Sequence, residues 1–122
     1  MSNVKFLLDE NVSSYIQNSF AQFAPDMALF VIGQSGAPPK STLDPDILVW
    51  IEENDCLLVT NNRSSMPGHL MDHLTQGRHI PGILQLPRQM NVRAIVDDLL
   101  LIGGASYPGE FQDQIIHLPL RK

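Results

Sequence analysis

Cysteine is nearly missing from this chain. Cys56 is the one thiol among 122 residues, so an internal disulfide framework is excluded. Its place at the head of the apolar run Cys56-Leu57-Leu58-Val59 marks a buried structural thiol and a cytoplasmic home. Basic residues are scarce too. Eight Lys and Arg against thirteen Asp and Glu leave a net charge of -5, and the eight are scattered from Lys5 to Lys122 without forming a patch. Affinity for nucleic acid drawn from phosphate neutralisation alone is therefore not expected. A nuclease is still permitted, because metal-binding carboxylates are themselves negative and a bound cation inverts the local sign. Aromatic residues are 7% of the chain and occur singly, so Trp50 and the phenylalanines read as core rather than as a base-stacking platform. No apolar run approaches the roughly 20 residues of a membrane span, and no signal peptide is visible at the N-terminus. There is no GxGxxG, no Walker loop and no Gly-x-Ser-x-Gly, which leaves nucleotide-cofactor chemistry and nucleophile-based hydrolysis without support.

What remains is an ordinary globular composition, 43% hydrophobic and 17% charged, of one-domain length over residues 1–122. Apolar periodicity alternates regularly along it. Val4 to Leu8 reads as a strand. Val12, Ile16, Phe20 and Phe23 then carry the spacing of an amphipathic helix, with Ser13 or Asn11 as its cap. Met27 to Ile32 is a second strand, and the Gly/Pro/Ser-rich stretch Gly33–Thr42 is a loop and the one candidate mobile element. Asp44 is an N-cap with Pro45 at the first helical position, and that helix breaks near Asn54-Asp55. Cys56 to Thr60 is apolar enough to be covered on both faces. A helix from Pro67 to Gly77, a strand Gly82–Leu86, a helix Val92–Ile102 stopped by Gly103-Gly104, and a strand Gln114–Leu118 complete the pattern. The reading is βαβαβαβαβ: an α/β fold with three α/β/α layers and a mainly parallel sheet of about five strands.

Polar residues collect where these elements end. Phe6-Leu7-Leu8 runs straight into Asp9-Glu10-Asn11, and in parallel α/β sheets sites form at the carboxyl ends of strands. Asp9 is the strongest single candidate, as a hard-cation ligand or as a cap for the next helix; Glu10 is expected to face outward. Asp44 and Asp46 open the second helix, where an acid serves the helix dipole equally well. One of them pointing at Asp9 would let Mg²⁺ or Mn²⁺ bridge the two while keeping several waters. Thr60-Asn61-Asn62 leaves the central strand on the same sheet edge, as neutral oxygen donors or as turn formers. Arg63 suits bidentate phosphate binding or plain solvation. His69 and His73 share a helical face but lack the Glu of a zinc motif, and read as surface histidines.

The segments Phe6–Asn11, Asp44–Leu48, Leu57–Arg63 and Met66-Pro67-Gly68-His69 together resemble the PIN-like superfamily, and within it a small bacterial subfamily that begins Phe-Leu-Leu-Asp-Glu-Asn. The resemblance covers nearly the whole chain. It implies a metal-dependent ribonuclease, in many cases a toxin paired with an antitoxin, and a homodimer. It makes Asp9 the first acidic ligand and Asp44 the second, with Asp46 assisting. The third acid of the family follows the central strand in a Thr-x-Asp-like pattern, and here that position is Asn62. In an active enzyme Asn62 would orient water or phosphate, and Asn11, Asn61, Arg63 and Lys40 would contact RNA. The second reading is a module that keeps the fold and binds a protein or RNA without cutting.

Overall fold

The computed structural model describes residues 4–89 and 91–120. Five strands, β1 (Lys5–Leu8), β2 (Ala28–Val31), β3 (Cys56–Thr60), β4 (Ile83–Gln85) and β5 (Ile115–His117), form one sheet in the order β2-β1-β3-β4-β5. Every neighbouring pair is parallel, and β1 registers Leu8 against Val31 on one side and Val59 on the other. Four helices connect them: α1 (Ser14–Phe23), α2 (Asp44–Asn54), α3 (Met66–Thr75) and α4 (Val92–Ala105). The expected α/β fold of three layers is the one observed.

Period-two alternation sorts the strand side chains between two cores. Phe6, Leu8, Leu57, Val59 and Leu84 pack under α1 and α4, against Ile16, Phe20, Ile95 and Leu99. Leu7, Cys56, Leu58 and Ile83 pack on the other face, against Ile47, Leu48 and Ile51 of α2 and Met66 and Leu70 of α3. Burial pushes the Cys56 thiol up to about 11, so it stays protonated and unreactive, as a structural thiol should.

Three local expectations are corrected. The cap of α2 is Leu43; Asp44 and Pro45 occupy its first two positions, and no side chain caps it. That shift leaves the Asp44 carboxylate available for other partners. Gly103 and Gly104 lie inside α4 and do not stop it, because Gly103 is buried where a Cβ would sit 2.5 Å from Met27 Cε and 3.2 Å from Phe6 Cε2. The glycine is there for close approach of helix to core. His73 is buried at 5% exposure, not on the surface. Its Nε2 meets Glu52 Oε1 at 2.8 Å, and Arg78 Nε donates to the same oxygen at 3.0 Å, so one carboxylate ties α2 to α3.

This anchor predicts the acid limb of stability. The hydrogen bond from Arg78 holds the Glu52 carboxyl below its ordinary 4.5; partial burial opposes this, and His73 adds to it. At Asp113 burial pushes upward, but the Ile80 N–H and His79 outweigh it and the carboxyl lies below its ordinary 3.8. Both groups hold fewer protons folded than unfolded. Their contribution is therefore complete above the ordinary values and is lost as pH falls through the depressed folded ones. Thermal midpoints should decline below about pH 4.5. Glu52→Gln should blunt that decline, and an unaltered acid limb in the variant would remove Glu52 from the account.

Candidate functional site

The strand order reverses between β1 and β3, so α1 and α2 leave the sheet toward opposite faces. This opens a crevice at the carboxyl edge, the place where doubly wound sheets bind ligands. Residues two apart on a strand share a face, so Asp9 follows Leu7 and Thr60 follows Leu58 toward the α2/α3 side. The ladder continues one residue past β1, where the Asp9 amide donates to the Val59 carbonyl at 3.0 Å. Thr60 is fully buried. Its hydroxyl donates to Asp9 Oδ2 at 2.8 Å and accepts from the backbone N–H of Asn62 at 3.1 Å. The other Asp9 oxygen accepts from the Glu10 N–H at 2.8 Å. Asp9 is therefore fixed on the sheet edge and does not cap α1; Ser13 does, accepting from Tyr15 N.

From Thr60 the network reaches Asp44 through Asn62. The Asn62 Nδ2 group donates to Asp44 Oδ2 and to Ser65 Oγ, each at 2.9 Å, while its Oδ1 accepts from the Ser65 N–H at 3.2 Å. Only this amide orientation satisfies both sides, since a carboxylate accepts and an N–H donates. Ser65 Oγ lies 3.4 Å from the same Asp44 oxygen, and His69 Nε2 lies 3.6 Å from it. Asp9, Thr60, Asn62 and Asp44 thus form one connected chain of hydrogen bonds across β1, β3 and the start of α2. The N-termini of α2 and α3 face it, which favours negative charge there.

His69 is the residue the sequence reading passed over. Its spacing from His73 suggested a shared surface, but their environments differ: His73 turns into the α2/α3 interface and His69 toward Asp44. The usable signal was its position in the first turn of a helix that follows the central strand.

The other expected site residues make no side-chain hydrogen bond to Asp9 or Asp44. Asp46 is exposed in the first turn of α2 and makes no side-chain hydrogen bond among the described residues. Asn61 Nδ2 donates to the Asn11 carbonyl at 3.2 Å, joining the turns after β1 and β3. Arg63 Nη2 donates to the Leu86 carbonyl at 2.9 Å. Lys40 is exposed, and its aliphatic stem covers Gly33. Glu10 is exposed as expected, yet it accepts from the Ser41 N–H at 2.8 Å and so tethers the Gly33–Thr42 loop to the site.

Two carboxylates with neutral oxygens nearby suit a hard divalent ion that retains several waters. Among the described residues no three His, Cys, Asp or Glu come together in a metal-binding group. Among the described residues, too, no helix is long and apolar enough to cross a membrane. Comparison with known proteins finds no matching family model, no matching curated protein and no matching solved structure.

Proposed function

We propose that the chain is a PIN-like, Mg²⁺- or Mn²⁺-dependent ribonuclease in which Asp9 and Asp44 hold the ion. One observation carries this reading: Thr60 and Asn62 join the two acids into a single network at the point where the strand order reverses. A cap or a dipole acid needs no such link. The bound ion would polarise the scissile phosphate and lower the pKa of its water. The protein's part is positional. Thr60, buried and hydrogen-bonded on both sides, keeps Asp9 from rotating, and Asn62 with Ser65 keeps Asp44 in place. His69, at Asp44, stands where it can exchange a proton with a bound water or a leaving oxygen. By the sequence resemblance, an antitoxin-like protein is the natural partner and a second copy of the chain a further one.

The second reading, a non-cleaving PIN-like module that binds protein or RNA, is favoured by the same Asn62. Its amide is neutral where the family places a third acid, and it already donates to Asp44. Mn²⁺ calorimetry on wild type and Asp9→Asn separates the two. Saturable binding in wild type is expected. In Asp9→Asn the affinity should fall by more than the roughly 10–100-fold that outer-shell changes bring, with circular dichroism unchanged. Equal affinity in both proteins would place the ion elsewhere. Absence of binding in both would leave the non-cleaving module.

A further inference from the structure

On the α1 side of Asn62 the same sheet edge opens into a cleft of about 560 Å³, within the range of small-molecule sites. It lies among the turns that follow β1, β3 and β4. Its composition runs against that of the chain. The net charge is -5, yet the lining contains Arg63 and Arg88 and no carboxylate. Among the described residues neither arginine is paired with an acid, whereas Arg78 is held by Glu52 and Arg93 lies near Asp97. The remaining polar wall includes Ser13 and Asn62, and Leu86 and Pro87 form an apolar side.

The cleft is also braced. Arg63 gives one N–H to the Leu86 carbonyl, leaving the rest of its five-donor fork for a ligand. The bond from Asn61 to the Asn11 carbonyl fixes the opposite rim. Two guanidinium groups without an acid partner among the described residues, Arg63 braced and Arg88 exposed, carry a charge that suits an anion with several acceptor oxygens. A carboxylate would occupy one fork. A phosphomonoester, doubly charged near neutrality and with three strong acceptor oxygens, engages both.

We propose that this cleft binds a phosphomonoester, with Arg63 and Arg88 clamping the phosphate and the Leu86–Pro87 side taking the organic group attached to it. The site needs neither Asp9 nor a metal ion. It shares Asn62 with the acid network, so a 5′-phosphorylated strand anchored here would present an adjacent phosphodiester to Asp9 and Asp44. That last step rests on the nuclease reading; the anion site does not.

The test is calorimetry in EDTA with AMP, inorganic phosphate and adenosine, on wild type, Arg88→Gln and Asp9→Asn. AMP should bind wild type and Asp9→Asn alike. Arg88→Gln, a change at an exposed residue, should bind AMP about tenfold or more weakly, the effect of losing one charge-assisted contact. Phosphate binding as tightly as AMP would assign the site to the phosphate group alone, and tighter AMP would assign it to a nucleotide; either outcome supports the clamp. Adenosine binding as well as AMP, unchanged AMP affinity in Arg88→Gln, or no binding of AMP or phosphate at millimolar concentration would overturn it. Failure of wild type to bind Mn²⁺ in the separate titration, with AMP binding intact, would sink the metal site and leave the anion site standing.

Discussion

Replacing Gly82 with alanine is expected to lower the thermal midpoint by about 10 °C or more, corresponding to roughly 3 kcal/mol for a domain of this size. Gly82 enters β4 with φ of +152°, in a region that residues with a Cβ rarely adopt. A Cβ there would stand 2.8 Å from Phe111 Cβ, 2.9 Å from the Phe111 carbonyl oxygen and 3.0 Å from Leu57 Cδ2. Two of these three atoms belong to backbone or to the first side-chain carbon, so no flexible end can swing aside. Relief requires the 107–114 segment to move away from the sheet, and that segment supplies the Gln114 carbonyl that pairs with Ile83 N. Gly77 is the control. Its φ is +79° but nothing lies within 4 Å of an added Cβ, so Gly77→Ala should cost only about 1 kcal/mol of backbone strain. Equal losses in the two variants would show that conformation, not collision, sets the value at Gly82. The effect should extend to the site, because β4 leads to Leu86, whose amide donates to the Thr60 carbonyl and whose carbonyl holds Arg63.

Strand identity was readable from sequence for a simple physical reason. β1 and β3 are buried on both faces, so their runs are continuously apolar, and the first polar residues after them must lie at the sheet edge. Asp9 and Thr60 therefore share one edge of the sheet by sequence pattern alone. What it could not reach were properties of pairs. Asp44 reads as a cap because Asp before Pro is a common cap, and only the turn at Leu43 decides that the helix starts one residue earlier. Gly103 and Gly104 look like a helix stop because the reason for Gly103, the approach of Met27 and Phe6, lies in other elements. His73 looks solvated because its partner Glu52 is on another helix. Likewise, nothing local tells that the Asn62 amide meets Asp44, a residue on another element. The arginine-lined cleft was hidden for the same reason: Arg63 and Arg88 are far apart in sequence, and an average charge of -5 conceals a local excess of the opposite sign.

Asn62→Asp is expected to convert that amide bond into a test of the whole site. The new carboxylate would face Asp44 Oδ2 where a 2.9 Å hydrogen bond now stands, and two carboxylates at that separation cannot both ionise without a cation between them. In metal-free protein the pair should therefore retain a shared proton, with its upper apparent pKa raised above the ordinary value of about 4. A group whose pKa is raised by folding contributes its stability at low pH and loses it as pH rises through the folded value. Relative to wild type, the variant should melt at similar temperature near pH 4 and fall behind toward pH 7, by about 1–3 kcal/mol, the cost of a partly buried group left without its partner. Saturating Mn²⁺ should reverse that deficit, because ligand binding to the folded state adds stability by mass action. Mn²⁺ affinity should rise by about tenfold or more, since one added charge at contact distance is worth several kcal/mol before desolvation is subtracted. An unchanged affinity would mean that Asn62 does not face the ion. RNA cleavage by Asn62→Asp but not by wild type would identify the natural chain as the non-cleaving module. Cleavage by both would leave Asn62 as a positioning residue in an enzyme that works with two acids.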